Sequence, residues 1–179
     1  MTSSTLHLAT EIEAATGVNP ATCYQCGKCS AGCPMASESD LRPHQVMRRV
    51  MYGSREQALQ DESIWLCLTC ETCSARCPNG CDPARVIDAV REIAIESGQA
   101  RVPRTIAAFH KAFLDQIRSN GRLHEMGLIM DYKLKTGDLM KDVTSAPAMF
   151  TRGKLNLRAD KIDGVSEIRR IFEQCGVTP

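Results

Sequence analysis

Residues 23–34, CYQCGKCSAGCP, recur in pattern as residues 67–78, CLTCETCSARCP. The first copy places Cys23, Cys26, Cys29 and Cys33 ahead of Pro34, and the second places Cys67, Cys70, Cys73 and Cys77 ahead of Pro78. The two grids stand 44 positions apart. No other feature constrains the fold as much, because a chain this short must bring two sets of closely spaced thiols into its interior or onto its surface. Ten cysteines in 179 residues would signal a disulfide framework in a small secreted protein. The opening MTSSTLHLATEIEAATG has neither a basic n-region nor an apolar h-region, so no secretory leader is expected there. No apolar run approaches the length of a membrane span. The expectation is therefore a cytoplasmic protein whose thiols stay reduced and hold metal. A net charge of +1 gives no overall electrostatic case for nucleic acid or an anionic membrane. Aromatic residues make up only 4% of the chain, so the core is small or is filled by something other than side chains.

The spacing narrows the chemistry. Structural zinc takes four tetrahedral ligands, usually as two CxxC pairs. Each grid here has three cysteines at two-residue gaps, a fourth after three residues, and then proline. That is the C-x2-C-x2-C-x3-C-P run of bacterial cluster-binding ferredoxins. Three thiolates on one tight loop reach three iron corners of a [4Fe–4S] cube, and the fourth begins the next segment and ligates the other cluster. Two grids are needed because each cluster borrows its last ligand from the other. The assignment is Cys23, Cys26, Cys29 and Cys77 for the first cluster, and Cys67, Cys70, Cys73 and Cys33 for the second. Two all-cysteine zinc sites and a disulfide scaffold are the competing readings. With every corner ligated by cysteine, no iron is open for Lewis-acid work, and the pair is read as a conduit for electrons.

Gly27 and Gly32 are expected to let the backbone approach the inorganic sulfides. Lys28, Arg76 and Arg85 flank the grids and are read either as offsets to cluster charge or as solvated surface residues. Cys81 is read as a spare, partly buried thiol, with replacement of Cys77 as ligand the alternative. Cys175 reads as an apolar contact, and His7, His44, His110 and His124 have no ligand spacing.

The rest of the chain reads as helix. Residues 6–16 end at Gly17. The segment LRPHQVMRRVMYG has Pro43 at the first turn and apolar residues at i, i+4, and SREQALQDE follows with Ser54 as cap and Gln57 in a capping box. Asp82 caps and Pro83 opens DPARVIDAVREIAIESG, with Val86, Val90 and Ile93 on one face. Ile106, Phe109, Phe113 and Ile117 mark another helix, and Leu123, Met126, Met130 and Leu134 the next. Residues 137–162 lose periodicity and read as a linker or arm. A final short helix over 163–176 carries Val165, Ile168, Ile171 and Phe172. No stretch alternates as a strand would, so the fold class is all-α.

The two grids, the helical insert between them, the helix MGLIMDYKLKTGD and the amphipathic GVSEIRRIFEQCG together resemble the C subunit of heterodisulfide reductase and its bacterial relatives. The resemblance implies an α-helical ferredoxin with two [4Fe–4S] clusters over residues 18–100, an N-terminal helix at 1–17, a helical extension at 101–136, and an arm with a partner-docking helix at 137–179. It implies an electron-transfer subunit of an oxidoreductase, not catalytic by itself. A flavin-containing A-like subunit would supply electrons, and a Cys-Cys-Gly B-like subunit would receive them and cleave a disulfide. In methanogens that is the mixed disulfide of coenzyme M and coenzyme B. The implied assembly is a hetero-oligomer, with a dimer of heterotrimers as one form. The grids are also shared by the iron–sulfur subunits of other oxidoreductases, and a stand-alone ferredoxin-type carrier is the alternative. A shuttle of that kind is usually compact and acidic, unlike this chain.

Overall fold

A computed structural model of the chain describes residues 7–138, 149 and 158–176. The chain divides into two compact units, with the boundary between Val102 and Pro103. Among the described residues there is no strand, so the fold is all-α.

In the first unit α1 (Leu8–Thr16) starts at His7, whose imidazole accepts from the Ala9 amide, and ends at Gly17 in the left-handed region that glycine tolerates best. The loop of the first grid leads into the single turn α2 (Lys28–Ala31). Then α3 (Pro43–Tyr52) opens on its proline and buries Val46, Met47, Val50 and Met51, the stripe expected from the spacing. The short α4 (Arg55–Leu59) begins at Ser54, whose hydroxyl accepts from the Gln57 amide. It stops earlier than the SREQALQDE segment suggested. Asp61 takes the Ser63 amide at 2.8 Å and pairs with Arg49, so the chain turns into a 3-10 segment at Glu62–Leu66 instead of continuing. The second grid leads into α5 (Thr72–Ala75), and α6 (Pro83–Glu96) follows.

These helices share one small core. α1 packs on α6 and α3, and α3 and α4 pack on α6. Ile12, Met47, Val50, Leu59, Ile64, Val86 and Val90 are fully buried there. Each such side chain contributes about 1.5–3 kcal/mol by leaving water. The core contains Trp65 as its one large aromatic, which matches the poverty of the composition.

The second unit is built from α7 (Arg104–Asn120), α8 (Glu125–Thr136) and α9 (Val165–Gln174), with α8 and α9 both packed on α7. The Ile162 amide donates to the Asn120 carbonyl at 3.1 Å, and the Ile162 side chain fills the space a Cβ on Gly121 would need. Lys135 ties Asp115 to Asp131. Phe109 meets Tyr132 edge-on at 6.0 Å. Ala112 and Asn120 are the buried residues of these three helices. Phe109, Phe113, Leu114, Met130, Leu134 and Ile171 are exposed. In α9, Val165, Ile168 and Phe172 are half-buried. Most of the linker expected over 137–162 lies outside the described residues.

The contrast between the units gives a direct test. Ile12 is 0% exposed, and Ile12→Ala should cost about 2–5 kcal/mol in chemical denaturation. Ile171 is 52% exposed, and Ile171→Ala should stay within about 0.5 kcal/mol of the parent. Equal effects would mean that the first unit is not packed as described.

Candidate metal centre

The two grids adopt the same backbone. In the first, Gln25 and Gly27 take φ of 59° and 76°; in the second, Thr69 and Glu71 take 50° and 60°. In both loops, then, the residue before the second cysteine and the residue after it lie in the left-handed region. Such residues, alternating with ordinary ones, gather successive N–H groups on one side and make a concavity suited to anionic atoms. Three of the four carry a Cβ, at roughly 1–2 kcal/mol each. Thr69 is β-branched, so its conformation is the most costly.

After each loop comes one helical turn, and these turns, α2 and α5, pack together. There Cys29 and Cys73, the third cysteines of the two grids, are buried with Ala84. The serine that follows each third cysteine does the same job twice. Ser30 Oγ accepts from the His44 amide at 3.1 Å, at the start of α3. Ser74 Oγ accepts from the Ala84 amide at 3.3 Å, at the start of α6. Each grid is therefore latched to the proline-led helix that succeeds it. The partner of His44 is also here, because Ser30 Oγ lies 2.6 Å from its Nδ1. Ser74 in turn donates to Asp82, the N-cap of α6.

The structure brings Cys33 away from its own loop. A single pocket is lined by Cys33, Cys67, Cys70 and Cys73, with Pro34, Leu41, Val46, Leu66 and Ile87 among its apolar walls. The converse side is organised around the turn after Cys77. Asn79 donates its amide to the Thr22 carbonyl, one residue before Cys23. The Cys81 thiol, 1% exposed, lies 3.3 Å from the Thr22 hydroxyl, and its backbone amide donates to Cys77 Sγ at 3.3 Å. The Tyr24 phenol is pushed up by slight burial and then by negative charge on Cys26, Cys77, Cys81 and Cys23. Cys77 therefore keeps company with the first grid.

Burial is the main influence on the inner thiols. It raises Cys29, raises Cys67, and pushes Cys73 up to about 11. At Cys67 the Thr69 amide and the Arg91 guanidinium oppose burial. The outer Cys70 is lowered, chiefly by the Thr72 hydroxyl. At Cys77, burial works upward but the amides of Cys81, Asn79 and Gly80 outweigh it, and the thiol is lowered. Among the described residues, no three His, Cys, Asp or Glu side chains close on one ion-sized position. The donor set fits a larger guest: four thiols spread around a pocket whose other walls are mostly apolar.

Several flanking residues differ from expectation or were not legible. Lys28, Arg76 and Arg85 are exposed. Gly32 has ordinary dihedrals, and its missing Cβ makes room for Arg76, whose Cδ would lie 2.5 Å from one. Arg76 Nε then donates to the Lys28 carbonyl at 3.2 Å. Arg91 was not suggested by sequence, since it stands on α6 well beyond the grid. It donates to the carbonyls of Ile64 at 2.8 Å and Cys67 at 2.6 Å, and to the Thr69 hydroxyl at 3.4 Å. The serine latches left a trace that could have been followed, because Cys-Ser-Ala recurs at the same place in both grids. Cys175 is exposed, not an interior contact.

Comparison with known proteins agrees with this geometry. Residues 22–82 match the family described as a 4Fe-4S dicluster domain. The chain is 34% identical over 88 residues to the iron-sulfur C subunit of the CoB–CoM heterodisulfide reductase of Methanopyrus kandleri, covering 49% of this chain and 46% of that one. It is 33% identical over 105 residues to the second iron-sulfur C subunit of the corresponding enzyme of Methanocaldococcus jannaschii, covering 58% and 56%. The C subunit of a ferredoxin:CoB-CoM heterodisulfide reductase of Methanosarcina acetivorans is 38% identical over 76 residues, covering 42% and 30%. The matched part thus spans about half the length of these relatives, or less. No helix among the described residues is long and apolar enough to cross a membrane. Residues 22–82 are thus similar to 4Fe-4S dicluster domains, and the chain is similar over about half its length to heterodisulfide reductase C subunits.

Proposed function

We propose that this chain is an electron-transfer subunit that relays electrons through two [4Fe–4S] clusters within a heterodisulfide reductase-type complex. The first cluster takes Cys23, Cys26, Cys29 and Cys77, and the second takes Cys67, Cys70, Cys73 and Cys33. The observation that carries the reading is the pocket in which Cys33 of one grid joins three thiols of the other. When bound, the clusters supply one-electron storage at potentials set by charge, hydrogen bonds and burial. The chain's own residues hold and insulate them. The serine latches fix each loop to a helix, and the second site has a mostly apolar wall that includes Pro34, Leu41, Val46 and Ile87.

The same reading assigns this subunit two neighbours, a flavin-containing A-like chain and a Cys-Cys-Gly B-like chain that carries the disulfide chemistry. Support comes from the relatives, each named as the C subunit of a heterodisulfide reductase. Further support is the surface of the second unit, where Met130, Leu134 and Ile171 stand exposed on helices that bury little. Met130 and Leu134, one turn apart on the same helix, are the side chains this reading places at a contact surface.

Anaerobically purified protein should contain about eight iron and about eight acid-labile sulfide per chain, as two four-iron clusters require. Stoichiometric zinc without visible absorption would end the reading. The crossover is tested by paramagnetic resonance on the reduced protein. Cys77→Ser should damage the cluster of Cys23, Cys26 and Cys29, whereas Cys33→Ser should damage that of Cys67, Cys70 and Cys73. Cys81→Ser should leave both spectra and the iron count unchanged. If each grid variant erased the cluster of its own loop, the assignment would be wrong.

Assembly has its own test. Met130→Asp with Leu134→Asp should leave iron content and spectra unchanged but reduce co-purification of a flavoprotein and a Cys-Cys-Gly protein by an order of magnitude or more. The purified subunit alone should accept electrons from dithionite and turn over no disulfide. Co-purification at the parent level in the double variant would remove the second unit from the interface.

A further inference from the structure

The two grids share a backbone but not an electrostatic setting. The entry to the first, around Thr22 and Cys23, is held by neutral groups: Asn79 donates to the Thr22 carbonyl, and the Gln25 side-chain amide donates to Cys23 Sγ at 3.4 Å. The entry to the second is held by a cation. Arg91 reaches the carbonyls of Ile64 and Cys67 and the hydroxyl of Thr69 with separate N–H groups. Its guanidinium also lies 5.8 Å over the Trp65 ring. Its side chain is only 17% exposed.

Other charges also lie near the grids. Lys28 belongs to the first grid, and Glu71 and Arg76, which donates to the Lys28 carbonyl, belong to the second, but all three are exposed, where water and salt screen them. Asp88 pairs with Arg91 at 3.1 Å, but its side chain is 39% exposed, more than twice the exposure of the guanidinium it faces, so it offsets the positive charge only in part. Arginine stays protonated throughout the working pH range, so this is a fixed positive charge in a partly desolvated place. A nearby fixed cation favours the reduced, more negative form of a cluster, and more strongly where water is excluded.

We propose that Arg91 holds the cluster of the second grid at a higher reduction potential than that of the first, so that electrons run from the first grid to the second. Such a transfer would oxidise the first cluster by one electron and reduce the second by one. No proton or further reactant is needed. Arg91 acts on the cluster through space and through the Cys67 segment; it is a positioning and tuning residue, not a ligand. The inference rests on the two-cluster reading given under Proposed function.

The test is a redox titration of the full chain followed by paramagnetic resonance, with the second-grid signal identified by its loss in Cys33→Ser. In the parent, the second cluster should be reduced at the less negative potential. Arg91→Gln should move its midpoint to more negative values and leave the first cluster where it was. Arg91→Lys, which keeps the charge but not the fork, should lose less of the midpoint than Arg91→Gln. Asp88→Asn, on an exposed residue, should move the same midpoint the other way. Should Arg91→Gln fail to retain the second cluster, the sign of the Asp88→Asn shift decides. Equal losses in Arg91→Lys and Arg91→Gln, an unmoved midpoint in Asp88→Asn, or a matching shift of the first cluster would each overturn the inference. Iron and sulfide counts separate this failure from the deeper one. A parent without two four-iron clusters sinks the two-cluster reading, whereas two intact clusters with unresponsive midpoints sink only the role of Arg91.

Discussion

Where α2 lies against α5, Cys29 and Cys73 are buried with Ala84 between the grids, and the two turns carry that contact outward to α3 and α6, on which they pack. Each third cysteine faces inward from a single helical turn. The chain leaving that turn has little choice of direction, because the serine beside the cysteine is already bonded to the next long helix. One turn beyond Cys29, Cys33 has reached the pocket of Cys67, Cys70 and Cys73. One turn beyond Cys73, Cys77 sits in a segment tied by Asn79 to Thr22, at the door of the first grid. Thiols buried this way resist ionisation, Cys73 most of all. A thiolate ligand must lose that proton, so metal binding displaces it and becomes coupled to the folding of the loops themselves.

The parts of this fold that were legible in the sequence are those with a local cause. Cysteine spacing, a proline opening α3, Asp82 capping α6 and Gly17 ending α1 all act within a few residues of where they stand. The parts that were not legible depend on contacts far along the chain or on conformations that sequence disfavours. Thr69 and Glu71 sit in the left-handed region with no glycine to announce it, although Gly27 at the place equivalent to Glu71 in the first grid hinted at the need. At Gly32 the missing Cβ also leaves a gap for Arg76, which the local sequence does not announce. Arg91 serves residues more than twenty positions before it, and no local pattern marks such a side chain. The early end of α4 came from Asp61 being occupied by the Ser63 amide and Arg49, a competition visible only once α3 lies alongside. Backbone strain at Gln25, Thr69 and Glu71 is tolerated because the loops are held from several sides, which is the usual condition for strain at a functional site.

The second unit obeys a different balance. Its shorter helices, α8 and α9, are marginal in water by themselves, α9 above all. The contacts within the unit are modest: a half-buried lysine between two aspartates, worth about 0–1 kcal/mol, and an edge-on aromatic pair, worth about 0.5–1.5 kcal/mol. Ala112 and Asn120 are all that these helices bury fully. The apolar residues that periodicity assigned to helix faces, Phe109, Phe113, Met130 and Leu134, therefore lie where the unit does not cover them by itself. Periodicity identified their helices correctly and says nothing about what lies opposite them. The stability such faces provide is realised only when something excludes water from them. In the first unit, by contrast, apolar burial, serine latches and the Arg91 clamp all converge on the cysteine loops. A chain that uses its own core to hold thiols in place, and leaves the apolar faces of its other helices open, fits the role proposed above, in which the first unit would hold the redox centre and the second would meet a neighbouring subunit.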